Sequence, residues 1–126
     1  MYKLGLTTWS PLAFGTLTGK YSTGKPESSR FTTPTFDNLA KEEQFTTRVK
    51  MADELKPIAD ELGRSLAQFS IAWAVSNENV STVLIAASRP SHLEENVQAL
   101  NFASKITSEV KVKIDAVVKF VPFIRV

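Results

Sequence analysis

Residues 4–21 read LGLTTWSPLAFGTLTGKY, an apolar run that breaks at a Trp-Ser-Pro turn and leads to a glycine and a lysine. The segment from Leu4 to Trp9 is short, apolar and rich in threonine, and Pro11 stops it, so it predicts a β-strand. Lys20 follows within a dozen residues of the turn. This order is typical of a strand whose C-terminal end opens onto a phosphate-bearing ligand.

Composition narrows the class of protein. The length of 126 residues suits one small domain, 1–126, and the net charge of +2 comes without any block of like charges, which argues against nucleic-acid binding. The absence of cysteine excludes disulfides and thiolate chemistry, and the single histidine, His92, predicts no metal site. Neither a signal peptide nor an apolar stretch near ~20 residues occurs, so we expect a cytoplasmic protein without membrane insertion.

Two helices are predicted in the middle of the chain. Between them and the first strand, the segment from Phe14 to Asn38 is rich in Gly, Ser, Thr and Pro, and predicts either a functional loop or a disordered linker. Apolar residues then recur at helical spacing over 41–62, and Pro57 predicts a kink or a split near Lys56. Ser65 and Gln68 form a capping-box pattern before a second helix, whose apolar circumference predicts burial of its residues, Trp73 included.

The C-terminal half predicts a strand followed by two helices. Val80 to Ala87 is β-branched and apolar on both faces, which favours a parallel strand covered on both sides. A helix is expected from Pro90 to Leu100. Its inward-facing residues are predicted to be Leu93, Val97 and Leu100. A last amphipathic helix begins near Thr107, with an inward stripe formed by Val110, Ile114, Val117, Val118 and Val121.

Polar residues follow both predicted strands, at Trp9-Ser10 and at Ala87-Ser88. Because ligands lie beyond the carboxyl ends of strands in parallel α/β folds, both junctions are candidate ligand-binding positions. Trp9 offers a surface for stacking an aromatic ring, although a core tryptophan is an equally good interpretation. Lys20 and Arg30 could pair with phosphate oxygens, although solvated surface charges are the simpler interpretation.

The segment 88–96, SRPSHLEEN, is a more specific candidate. A helix that opens there presents unpaired N–H groups and the positive end of its dipole, which suits a phosphate, and Arg89 adds charge. Glu95 and Asn96 could bind the polar edges of an adenine. His92 is most simply an exposed helix residue, with a contact to the ligand as the alternative. Other chemistries find little support, since the chain has neither a G-x-S-x-G nor a G-x-G-x-x-G motif.

The pattern T-x-W-S-P-L-A-x-G-x-x-T-G-K-Y over 7–21 resembles the aldo-keto reductases, especially the branch of the voltage-gated potassium channel β-subunits. Ser29-Arg30, the helix LAQFSIAW at 66–73 and the segment A-S-x-x-x-x-L-x-E-N at 87–96 follow at the spacing of that family. The resemblance covers nearly the whole chain. It implies an α/β fold, the C-terminal part of a (β/α)8 TIM barrel with about two parallel strands and four or more helices.

The resemblance also implies a cofactor and its contacts. The family transfers hydride between NADPH and a carbonyl or alcohol, and Trp9 would stack on the nicotinamide, beneath a covering loop at 15–40. The pyrophosphate side would be lined by Ser10, Pro11, Leu12, Ala13, Lys20 and Arg30. The adenosine and its 2′-phosphate would be held by Ser88, Arg89, His92, Glu95 and Asn96. Three departures from the family pattern are Ala86, where glycine is usual, Phe14, where a smaller residue is usual, and Pro57, which interrupts a helix that is usually continuous.

The family's catalytic Asp, Tyr, Lys and His come from the first half of the barrel, and no residue here matches them, so none is predicted to be catalytic. We expect the chain alone not to be a competent reductase. The resemblance implies three partners. They are another chain that supplies the N-terminal half, NADPH and a small carbonyl substrate. The alternatives are a non-catalytic regulatory module like the potassium channel β-subunits, or a truncated gene product.

Overall fold

The computed structural model describes residues 3–24, 26–27, 29–36 and 43–120. Its strands and α-helices are β1 (Leu6–Trp9), α1 (Glu43–Glu61), α2 (Leu66–Val75), β2 (Val80–Leu84), α3 (Pro90–Val97) and α4 (Ser108–Val118). Three 3-10 segments occupy Ala13–Thr18, Arg30–Thr32 and Gln98–Lys105. The predicted order of strand, loop, helices, strand and helices is therefore confirmed.

The two strands pair in parallel and end side by side. Leu6 pairs with Val80, and Trp9 pairs with Leu84 at the carboxyl ends. Parallel neighbours need a long crossover, which α1 and α2 provide here. The pairing confirms the α/β class, and the two strands make up the sheet of the described residues.

Close approach of the strands requires a glycine at position 5. A Cβ on Gly5 would lie 2.8 Å from the Ser81 Cβ and in hard overlap with the Ser81 hydroxyl. We expect Gly5→Ala to lower the free energy of unfolding by about 1–3 kcal/mol, because overpacking forces the strands apart. Urea denaturation measures this loss. The double variant Gly5→Ala/Ser81→Gly is the matched control and regains most of it; equal stability of Gly5→Ala and the parent chain would refute the steric explanation.

α1 is continuous through Pro57, so the predicted split near Lys56 is wrong. Pro57 lacks an N–H and leaves the Asp53 carbonyl without its usual helical partner. Its ring is exposed, however, while Leu55 and Ile58 on either side are buried in the core. Packing of this apolar face holds the helix together across the missing hydrogen bond.

The main core lies between α1, α2, the last 3-10 segment and α4. Its buried residues are Ala52, Leu55, Ile58, Ala59, Leu66, Phe69, Ile71, Ala72, Ala99, Phe102, Ile106 and Ile114. The prediction that α2 is largely buried is confirmed. Trp73 is the exception, since its side chain is 46% exposed, and its predicted core position is wrong.

Two other predictions of burial are also wrong, one for β2 and one for the stretch that begins with α3. β2 ends at Leu84 rather than Ala87, and its residues are exposed or half-buried, with α2 as the helix that packs against it. Leu93, Val97 and Leu100 are 44%, 47% and 61% exposed instead of facing inward. On the same stretch, Asn96, Ala99 and Phe102 turn into the core. For the last helix, Val121 lies outside the described residues.

A second, smaller aromatic cluster anchors the loop between β1 and α1. Tyr21 and Phe31 are buried in it, with Phe14, Phe36 and Phe45 packed around them. The Ser22 hydroxyl also donates a hydrogen bond to the Asp53 carboxylate of α1. The described part of the predicted loop 15–40 is therefore packed against the fold, which argues against a disordered linker; residues 25, 28 and 37–40 lie outside the described part.

Candidate functional site

Parallel pairing brings the two polar strand ends into one open cleft of ≈ 640 Å³. One wall comes from the turn after β1 and the other from the segment between β2 and α3. The lining residues are Trp9, Ser10, Pro11, Leu12, Phe14, Gly15, Thr18, Lys20, Ser65, Ala67, Leu84, Ile85, Ala86, Ala87, Ser88, His92, Glu95 and Asn96. Both junctions singled out in the sequence thus contribute to the same site.

The turn after β1 has a strained backbone. Ser10, Ala13 and Phe14 have φ values of 54°, 48° and 60°, a region that residues with a Cβ rarely adopt. Two local backbone hydrogen bonds hold the turn. The Ala13 N–H donates to the Ser10 carbonyl at 3.0 Å, and the Gly15 N–H donates to the Leu12 carbonyl at 2.9 Å. Such outliers persist where the surrounding structure fixes them, and they cluster at ligand-binding sites.

The cleft has a lysine on the wall that follows β1 and a histidine on the wall formed by α3. Lys20 follows the strained turn, and its ammonium lies 5.0 Å from the centre of the Tyr21 ring. His92 lies in the first turns of α3. Glu95 is the carboxylate in the lining, and it also belongs to α3. An anionic group of a ligand beside the strained turn would match the charge of Lys20.

The N-terminus of α3 opens at the second wall. Arg89 is its N-cap residue but makes no side-chain capping bond, and Pro90 occupies the first helical turn as predicted. Pro90 has no N–H, and the His92 and Leu93 N–H groups both donate to the Arg89 carbonyl. This end of α3 therefore offers the Ser91 N–H and the positive end of the helix dipole near Ser88. Asn96, one turn further on, is buried while still lining the cleft.

Gln68 holds α3 in place, a role that the sequence pattern did not reveal. Ser65 caps α2 as predicted, accepting a hydrogen bond from the Gln68 N–H at 3.2 Å. The Gln68 side chain does not complete the capping box; its Nε2 instead donates to the Glu95 carbonyl at 2.9 Å. A polar residue that is buried within an apolar helix was the available signal for such a tertiary contact.

Replacing Gln68 with leucine tests this contact. We expect a loss of about 1–3 kcal/mol in the free energy of unfolding, because the partly buried Glu95 carbonyl loses its donor. Amide hydrogen exchange of α3 is expected to accelerate as well. The matched control Gln98→Leu changes an exposed glutamine and is expected to shift stability within about 0.5 kcal/mol. Equal stability of both variants would show that Gln68 does not fix α3.

Most of the predicted site residues meet in this cleft. Those that line it are Trp9, Ser10, Pro11, Leu12, Lys20, Ser88, His92, Glu95 and Asn96. Ala13 and Arg89 are not among the lining residues, although each adjoins one that is, and the side chain of Arg30 lies outside the described part. Trp9 is 72% exposed, which favours a stacking surface over a core position. The sequence did not assign Gly15, Thr18, Ser65 or Ala67 to the site, although Gly15 and Thr18 belong to the pattern over 7–21 and Ser65 to the capping-box pattern.

A profile comparison finds a match to the Aldo/keto reductase family over residues 2–119. The chain belongs to the aldo/keto reductase family. It is 49% identical over 122 residues to a probable voltage-gated potassium channel subunit beta of Oryza sativa subsp. japonica, covering 96% of this chain and 37% of that protein. Identity to a protein of the same description from Arabidopsis thaliana is 47% over 120 residues, 94% of this chain and 37% of the relative.

A putative voltage-gated potassium channel subunit beta of Schizosaccharomyces pombe is 41% identical over 125 residues, 97% of this chain and 36% of that protein. The chain thus spans little more than a third of the length of these aldo/keto reductase relatives, and its fold is a partial form of the family domain.

No helix in the described stretches has the length and hydropathy for crossing a membrane. Nor do those stretches gather three or more potential metal ligands.

Proposed function

We propose that this chain forms the NADP(H)-binding part of an aldo-keto reductase. The observation that carries the proposal is the single cleft that joins the two strand ends and gathers Trp9, Lys20, Ser88 and Asn96. In this proposal, the exposed indole stacks on a ring of the ligand, and the lysine beside the strained turn binds a pyrophosphate. The helix N-terminus without a side-chain cap binds a further phosphate. When bound, NADPH supplies hydride for reduction of a carbonyl.

Each wall has its own task in this proposal. Trp9 offers a ring face to the nicotinamide, and the turn Ser10-Pro11-Leu12-Ala13 lies along the pyrophosphate, which Lys20 and Arg30 neutralise. Ser88, His92, Glu95 and Asn96 bind the adenosine side. The N-terminus of α3, with His92 and Arg89 beside it, favours the additional 2′-phosphate of NADPH over NADH. Cytoplasmic location is part of the proposal.

Tryptophan fluorescence tests where the ligand binds. Trp9 lines the cleft, whereas Trp73 is not among its lining residues. Oxidised NADP⁺, which does not absorb tryptophan emission, is expected to quench the fluorescence of the Trp73→Phe variant, which retains only Trp9, in a saturable manner. The Trp9→Phe variant is the matched control and is expected to show little quenching. Equal quenching in both variants, or none in either, would contradict the placement of the nicotinamide.

The exposed sheet supports the proposal that further strands complete the barrel. Leu6 and Leu84 are 56% and 54% exposed, which is unusual for apolar residues on the paired strands of a sheet. We propose that another polypeptide, or another part of a longer chain, supplies these strands and the acid–base residues. The chain alone is then not a competent reductase, and reduction of an aromatic aldehyde with NADPH at ordinary rates would refute this.

A non-catalytic regulatory role is the second candidate. It is favoured by the relatives, which are described as probable or putative potassium channel β-subunits. In this role, a completed protein carrying this segment would associate with the cytoplasmic assembly domain of a channel. Co-purification with such a domain, together with absent carbonyl reduction, would favour it over the metabolic enzyme. A truncated product without function would show neither association nor an NADPH-dependent rise in Tm.

A further inference from the structure

The side chain of Lys20 contacts the Tyr21 ring and lies close to Gly15 within the cleft. Its ammonium is 5.0 Å from the centre of the Tyr21 ring, within the range of a cation–π contact. A Cβ at Gly15 would lie 3.0 Å from both Cε and Nζ of Lys20 and 3.7 Å from Cε2 of Tyr21. The end of the lysine therefore lies close to the bare Cα of Gly15 as well as to the ring.

The Tyr21 ring is itself held firmly. It is 3% exposed and makes edge contacts with Phe31 at 5.1 Å and with Phe45 at 5.6 Å between ring centres. The Tyr21 hydroxyl is buried and has no hydrogen-bond partner among the described residues. Since a buried hydroxyl without a partner adds no stability, the ring is the useful part of this side chain.

We propose that Tyr21 is a positioning residue, whose ring holds the Lys20 ammonium ready for a phosphate of the ligand. Lysine has a long flexible stem, and ordering it on binding costs conformational entropy. A lysine already placed over a fixed ring loses less freedom when the phosphate arrives. Gly15 contributes by leaving room for the lysine. The identification of the phosphate as that of NADPH rests on the proposed function.

Three variants test the coupling between the two residues, with NADPH as the probe. Tyr21→Leu removes the ring and is expected to weaken NADPH binding about 2- to 5-fold, the range of an exposed cation–π contact. Tyr21→Phe keeps the ring and is expected to bind as the parent chain does. The double variant Lys20→Met/Tyr21→Leu is expected to bind no more weakly than Lys20→Met, because both changes remove the same contact.

Nuclear magnetic resonance measures the position of Lys20 in the parent chain without any ligand. Ring current from Tyr21 is expected to shift the ε-methylene protons of Lys20 upfield in the unliganded parent chain. The shift persists in Tyr21→Phe and disappears in Tyr21→Leu. An unshifted signal in the parent chain overturns the proposal, and so do additive losses of NADPH affinity in the double variant.

The two proposals fail in different ways. A shifted Lys20 signal, combined with NADPH binding that Lys20→Met leaves unchanged, would overturn the phosphate contact of the proposed function. The positioning of Lys20 by Tyr21 would then stand. An unshifted signal combined with NADPH binding that depends on Lys20 would do the reverse, retaining the cofactor site and removing the role of the ring.

Discussion

Phe69→Ala is expected to lower the free energy of unfolding by about 3–5 kcal/mol, the usual cost of removing a large aromatic ring from a packed interior. Phe69 is 2% exposed and is the largest fully buried side chain of the described residues. It lies on α2, the helix that packs against β2, α1, α3 and the last 3-10 segment. Removal of the ring therefore leaves a cavity at the point where the elements around the cleft meet.

Urea denaturation followed by circular dichroism measures this loss. The matched control is Phe120→Ala, since the Phe120 side chain is 76% exposed and its removal is expected to change stability by about 0.5 kcal/mol or less. A domain of this size has only about 5–15 kcal/mol to lose, so loss of the cooperative transition in Phe69→Ala is also an expected result. Comparable stability of the two alanine variants would contradict the position of the core.

Lys20→Met is expected to weaken NADPH binding about 10- to 100-fold, the range of a charge-assisted hydrogen bond to a phosphate. Methionine keeps the length of the apolar stem and removes the charge. Lys50→Met is the matched control, because Lys50 is exposed on α1 and does not line the cleft. Fluorescence titration measures both, and the loss is expected to shrink as salt screens the phosphate. Equal affinities of the two variants would exclude Lys20 from the phosphate site.

The sequence was sufficient to predict that the two strand ends meet, because both halves of the cleft follow predictable strands. Trp9-Ser10 and Ala87-Ser88 each lie at the end of an apolar, β-branched run, and parallel pairing then brings Trp9 next to Leu84. Ser65 and Pro90 predicted the starts of their helices equally well, since both act through local backbone chemistry. Signals of this kind depend little on the rest of the molecule.

Burial was harder to predict because periodicity shows which side of an element is apolar and not what covers it. Leu93, Val97 and Leu100 form a regular stripe, yet they are exposed in this chain. β2 has apolar residues on both faces, yet its residues are exposed or half-buried. If further strands and helices complete the barrel, as proposed above, we expect these surfaces to become buried.

Side-chain contacts between distant parts of the chain were the second feature that the sequence could not predict. The S-x-x-Q pattern at Ser65 predicts a reciprocal bond from Gln68 to the helix start, but the side chain reaches the Glu95 carbonyl instead. Phe14 was noted only as a departure from the family pattern. In the structure it adopts a positive φ, lines the cleft and contacts Phe36 at 5.9 Å between ring centres. Neither contact can be deduced from local spacing, because each joins distant parts of the chain.

Calorimetric titration of the 126-residue chain with NADPH, and with NADH for comparison, tests the presence of the cofactor site most directly. The cleft predicts saturable binding of one NADPH per chain. Affinity for NADH is expected to be about 10-fold weaker or more, because NADH lacks the 2′-phosphate that the N-terminus of α3 and Arg89 would bind. Binding of neither nucleotide, or equal affinity for both, would contradict an NADP(H) site in this chain.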